Sequence, residues 1–197
     1  MKDKKSYYQH KQPVIRNVLI DPITKRFSPQ TFTSDPIPED HIKMMLEAAR
    51  LAPSARNLQP WFFYYAHKDS DGYKKLLKGI PDMNLWCMKA PLLILATYEE
   101  NSSDGNFNEW AKYDLGAACM SLVLQAQAIG YYSRQIGLFD ADIVTNELNL
   151  SSSKKPCVII AVGKIATEAD LRKIDEKYLE KEKKAWNRKE VIAERLD

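Results

Sequence analysis

Glycine is scarce in this chain, seven in 197 residues, and the glycines are scattered. No G-x-G-x-x-G turn, P-loop, G-x-S-x-G elbow or H-E-x-x-H pair occurs. The sequence therefore lacks the local fingerprints of a Rossmann dinucleotide fold, a phosphate-cradling NTPase, a serine hydrolase and a zinc protease. Histidine is limited to His10, His41 and His67, and cysteine to Cys87, Cys119 and Cys157. The cysteines are odd in number, widely spaced and set beside apolar neighbours, which reads as buried thiols in a reducing compartment rather than disulfides. Without a C-x-x-C pair, a metal site is not expected. Apolar runs such as 91–97 fall far short of the ~20 residues that span a bilayer. A net charge of +3, with dispersed Lys and Arg, gives no reason to invoke nucleic acid. The polar start MKDKKSYYQHKQP lacks a secretory apolar stretch, so a cytoplasmic protein without membrane contact is expected.

What remains is the balance of a globular domain, 45% hydrophobic and 28% charged. One domain over 1–197 is the simplest account. Residues 14–20 (VIRNVLI) predict an amphipathic first helix, and the proline-studded 25–35 segment predicts loop or extended chain. Pro38, Glu39 and Asp40 then open a helix with Ile42, Met45, Leu46 and Ala49 on one stripe, ended by Pro53. Trp61–Ala66 reads as an aromatic strand. Leu92–Thr97 and Cys157–Val162 are continuous apolar runs that predict strands buried on two faces. A long apolar helix is expected over 109–129, closed by Gly130, and a shorter one over 141–148. From Thr167 the composition turns to a charged helical pattern, an extension that either lies in solvent or reaches a partner subunit.

With no familiar catalytic spacing, chemistry must come from a borrowed group or from dispersed residues. Two stretches are dense in recognition chemistry. In 48–61 (AARLAPSARNLQPW) a helix stops, and Ser54, Arg56, Asn57 and Gln59 follow. Amide side chains donate and accept at once, which suits the edge of a heteroaromatic ring such as an isoalloxazine or a nucleobase. The plainer reading is a polar loop that satisfies its own backbone. In 25–32 (KRFSPQTF), alternation along an extended chain puts Arg26, Ser28 and Gln30 on one side. There Arg26 can grip a phosphate with two hydrogen bonds and Ser28 can add one.

Together, R-x-S-P-x-x-F, a helix, and then A-P-S-A-x-N-x-Q-P-W before an aromatic strand resemble the FMN-dependent nitroreductase family. Trp86-x-x-x-Ala90-Pro91, Asp114-Leu115-Gly116, Ile129-Gly130 and Ile136-Gly137-x-Phe139 extend the resemblance over most of 22–165. It implies an α+β fold, a three-layer α/β sandwich with a central mixed, mainly antiparallel sheet, assembled as a homodimer with FMN sites at its interface. By the family pattern Arg26, Phe27 and Ser28 hold the phosphate and ribityl end. Gln30 stands where a basic residue usually meets the pyrimidine edge. Pro53, Ser54, Ala55 and Asn57 come from the other subunit, Asn84 reaches toward the ring, and Gln135, Ile136 and Gly137 line the flavin near N5. The best match to a basic pair that returns to the phosphate is Arg188 and Lys189. The implied activity passes a hydride from NAD(P)H through FMN to a nitroaromatic, quinone or enone acceptor with ping-pong kinetics. No side chain is named as catalytic, because the cofactor carries the redox chemistry. Two alternatives from other classes are a non-catalytic FMN-binding or redox-sensing homodimer and a flavin-free dimeric interaction module.

Overall fold

In the computed structural model of the chain, Ile15 and residues 17–166 are described. The elements in chain order are α1 (Asp21–Lys25), α2 (Glu39–Arg50), β1 (Trp61–His67), α3 (Asp71–Lys78), β2 (Leu92–Glu99), α4 (Ala111–Ala128), β3 (Tyr132–Ile136), α5 (Ala141–Leu148) and β4 (Lys154–Gly163). Short 3-10 turns cover Ala55–Asn57 and Asp82–Lys89.

The four strands lie in the order β1-β2-β4-β3, and each described pairing is antiparallel. β2 and β4 are central, and side chains alternate between the two faces of a strand. Leu92, Ile94, Ala96, Ile160 and Val162 join Ile42, Met45 and Ala49 of α2 and Leu115, Ala118 and Leu122 of α4 in one core. Leu93, Leu95, Ile159 and Ala161 join Tyr73 and Leu76 of α3 and Val144 of α5 in the other. A sheet buried on both faces between two helical layers explains the unbroken apolar runs 92–96 of β2 and 157–162 of β4. β1 and β3 are the edges, and they carry polar or partly exposed aromatic residues.

The expected stripe of α2 faces the core, with Ile42, Met45 and Ala49 buried. Pro38 sits one residue before the helix, at its N-cap, with extended backbone. α5 covers the expected 141–148 span, with Asp140 capping the Ile143 amide. Gly130 follows α4 with a φ of 88°, the left-handed conformation that lets the chain turn directly into β3.

The start of the chain differs from expectation. Residues 17–20 form no helix; instead α1 begins at Asp21, with Pro22 in its first turn and a Lys25–Asp21 ion pair one turn apart. An amphipathic helix is stabilised by burying its apolar face, and here Val18, Leu19 and Ile20 are exposed. Pro22 favours a helix that starts at its own position.

Candidate functional site

The predicted residues fall into two groups, one at each edge of the sheet. At the β3 edge, Phe27 is buried and packs on Tyr132 with ring centres 4.9 Å apart. This anchors the turn that carries Arg26 and Ser28. The Arg26 Nη1 donates to Ser28 Oγ at 3.3 Å, so a cation and an exposed hydroxyl sit side by side. Gln30 is buried. The following residues run along the chain beyond β4, through a Phe32–Ile165 bridge, Thr33 N donating to Lys164 O at 2.9 Å and Ala166 N donating to Thr31 O at 3.1 Å. Pairing with 164–166 fixes residues 31–33, while the Phe27–Tyr132 contact and the Arg134 hydrogen bond to Ser28 O hold the preceding turn beside β3.

Asn84 lies at the same edge, and both ends of its amide are engaged. Nδ2 donates to Leu138 O at 3.1 Å, and Oδ1 accepts from Trp86 Nε1 at 3.2 Å. Its first role here is to tie the 82–89 turn to the chain leaving β3. Gln135 and Gly137 are exposed and Ile136 is buried. A side chain at Gly137 would meet no atom within 4 Å, so the backbone there borders open space.

At the β1 edge, Pro53 and Asn57 are exposed and Ser54 and Ala55 half-buried. Arg56, Asn57 and Gln59 have φ of 52°, 58° and 47°. Three left-handed non-glycine residues within four positions hold strain of about 1–3 kcal/mol each, of a kind that surrounding structure must enforce. Part of that enforcement is Asp114 of α4, buried at 3% exposure, whose Oδ2 accepts from Ala55 N at 3.0 Å. The rest is local. Ser54 Oγ accepts from Gln59 N at 3.0 Å, and Gln59 Nε2 donates to Asn57 O at 3.1 Å. The loop therefore does satisfy some of its own backbone, while Asn57 stays on the exposed rim. Beside it lies a cleft of about 370 Å³, lined in part by Leu58, Gln59, Pro60, Glu99, Asn108 and Ser153. Glu99 is held below the usual carboxylate range, first by its hydrogen bond with Lys154 at 2.8 Å.

Among the described strands β1 and β3 are the outermost, so the two groups of residues lie toward opposite sides of the sheet. α4 adds a second observation. Its inner face lies on the sheet, yet its outer face exposes Trp110, Tyr113 and Met120, with the open backbone of Gly116 between them. A helix apolar on both sides has a covered face and a face that fits a partner.

Arg188 and Lys189 lie outside the described residues, as does the whole 167–197 extension. Sequence reasoning passed over Arg134. Its neighbours in alternation, Tyr132 and Ile136, pack toward the second core, so an arginine on that face was the available signal. Among the described residues, no group of three or more His, Cys, Asp or Glu could hold a metal ion. No helix among them is long and apolar enough to cross a membrane.

The family model described as the nitroreductase family matches residues 23–84 and 83–164. YodC of Bacillus subtilis (strain 168), which carries the provisional name NAD(P)H nitroreductase, is 26% identical over 70% of this chain and 84% of its own. An Archaeoglobus fulgidus protein provisionally named NADH dehydrogenase/NAD(P)H nitroreductase is 24% identical over 79% of this chain and 90% of its own. Among solved structures, an oxidoreductase containing FMN superposes with a TM-score of 0.81 at 28% identity, covering 89% of each chain. The protein belongs to the nitroreductase family.

Proposed function

We propose that the protein is a homodimeric, FMN-dependent NAD(P)H oxidoreductase that reduces a nitroaromatic, quinone or enone in a ping-pong cycle. The observation that carries this reading is the separation of the two groups of residues toward opposite sides of the sheet, beside a long helix with an outward apolar face. A two-fold dimer sets the β1-edge loop of one protomer against the β3-edge turn of the other. The FMN-containing neighbour at 28% identity and the names of the relatives support the cofactor and the electron donor.

The donor set fits FMN. Arg26 and Ser28 offer a charge-assisted hydrogen bond and a hydroxyl to the phosphate and ribityl end. Gln30 stands at the pyrimidine edge, and Phe27 keeps the turn anchored. The open backbone at Gly137, with Gln135 and Ile136, leaves room for a flat ring to approach closely. Asn84 stiffens that wall. Pro53, Ser54, Ala55 and Asn57 reach the ring from the partner protomer. When bound, FMN supplies two-electron transfer between a nicotinamide and an acceptor. The chain's own residues bind the cofactor, orient its ring and leave one face open to each substrate in turn.

Steady-state rates measured with NADH or NADPH varied at several fixed concentrations of a quinone, a nitroaromatic or an enone test this. Parallel double-reciprocal lines for at least one acceptor are expected. An FMN-loaded protein that oxidises neither nucleotide with any of the three acceptor classes would be a binding or sensing protein instead.

A further inference from the structure

Three chain segments that border the β3-edge half-site meet in a closed circuit of contacts. Arg134 Nη1 donates to the carbonyl of Ser28 at 2.8 Å. The same guanidinium lies over the Trp86 indole, 5.1 Å from the ring centre. Trp86 Nε1 donates to Asn84 Oδ1 at 3.2 Å, and Asn84 Nδ2 donates to Leu138 O at 3.1 Å. Leu138 follows Gly137 directly and leads back through β3 to Arg134, which closes the ring. Gln135, Ile136 and Gly137 are the residues it encloses. Trp86 also stacks with Phe32, ring centres 6.2 Å apart.

Such a circuit has one hub. Arg134 touches both the turn bearing Arg26 and Ser28, through the Ser28 carbonyl, and the wall formed by Trp86. A guanidinium is planar and permanently charged, so it can lie flat on an aromatic face while an in-plane N–H points at a carbonyl. Lysine keeps the charge but lacks that fork.

We propose that Arg134 is a positioning residue of the flavin site. It holds the phosphate-end turn against Trp86 and the Gln135–Gly137 backbone, and its fixed positive charge stabilises bound reduced flavin. The inference rests on the flavin reading above and adds a residue to it. Two consequences are separable. Losing the fork loosens the turn, which weakens FMN binding. Losing the charge disfavours the more anionic reduced cofactor, which makes its midpoint potential more negative.

The experiment uses the full-length protein stripped of flavin, with wild type, Arg134→Met and Arg134→Lys titrated with FMN by fluorescence. The midpoint potential of each reloaded protein is then measured, with thermal melting of the apo forms as a fold control. Arg134→Met is expected to bind FMN about 10-fold more weakly, the scale of one charge-assisted hydrogen bond, at a more negative potential. Arg134→Lys is expected to restore the potential while affinity stays reduced. Unchanged affinity and potential in a folded Arg134→Met would overturn the proposal, as would an Arg134→Lys protein with wild-type affinity. Should Arg134→Met fail to fold, the lysine variant alone decides by its affinity. A wild-type protein that takes up no FMN would instead refute the flavin reading itself.

Discussion

Arg26 and the buried cysteines show how the surroundings of one residue set its chemistry. Arg26 stands beside an exposed hydroxyl on a turn pinned by the Phe27–Tyr132 contact. Arg26→Ala is expected to weaken FMN binding by about 1.5–3 kcal/mol, roughly 10- to 100-fold, while leaving the melting temperature nearly unchanged. Fluorescence titration of the apoprotein reads it, and an unchanged affinity would remove Arg26 from the phosphate site. The cysteines behave in the opposite sense. Burial pushes the thiols of Cys87 and Cys119 up from an ordinary 9.0 to about 12. Both therefore keep protons in the fold that the unfolded chain releases between those values. Their contribution to stability is complete below about pH 9 and falls as pH rises through the window. The native protein should let a thiol reagent reach half-buried Cys157 first, with Cys87 and Cys119 reacting only on unfolding. Equal labelling rates for all three would contradict the burial.

Among the elements, the connection from α2 to β1 is the most strained, with Arg56, Asn57 and Gln59 all left-handed. Its three left-handed residues are held in part by Asp114, buried in the first turn of α4, which accepts the Ala55 amide, and in part by the Ser54–Gln59 and Gln59–Asn57 hydrogen bonds. Asp114→Ala leaves that amide without its acceptor and removes an acidic group from a helix start, at a cost of about 1–3 kcal/mol. A lowered urea midpoint together with weaker FMN retention is expected, and Asp114→Asn, which keeps an acceptor, is expected to recover most of both. Loss of stability with FMN retention intact would mean that the loop does not serve a flavin.

Elements were legible in the sequence where one face or both faces are apolar. The stripe of α2, the unbroken runs of β2 and β4, and α5 with its Asp140 cap all lie where pattern places them. β3 was not legible, because Tyr-Ser-Arg-Gln-Ile puts an arginine between the apolar residues of one face and only Ser133 and Gln135 on the other, leaving no apolar run. α3 is eight residues long with a glycine at its second position, and tertiary burial of Tyr73 and Leu76 rather than propensity holds it. Of the site, the motifs at 26–30 and 53–59 could be read as recognition chemistry. The contact of Arg134 with Ser28 and Trp86 could not, since only the fold brings such distant segments together.

At the scale of the whole molecule, dimerisation is the claim on which the site depends. The outer face of α4 carries Trp110, Tyr113 and Met120 where a solvated helix would carry charge. Met120→Glu places a carboxylate on that face and is expected to shift the sedimentation coefficient from dimer toward monomer. Flavin should be lost in parallel, because the partner's loop leaves with it. A monomeric variant that keeps FMN would show that one chain completes the site.

The most direct test of the central claim is the visible spectrum of the purified protein, recorded before and after anaerobic addition of NADH or NADPH. The account predicts oxidised-flavin bands that bleach on addition and return when a quinone, nitroaromatic or enone acceptor is supplied. A protein that stays colourless after incubation with FMN would contradict it.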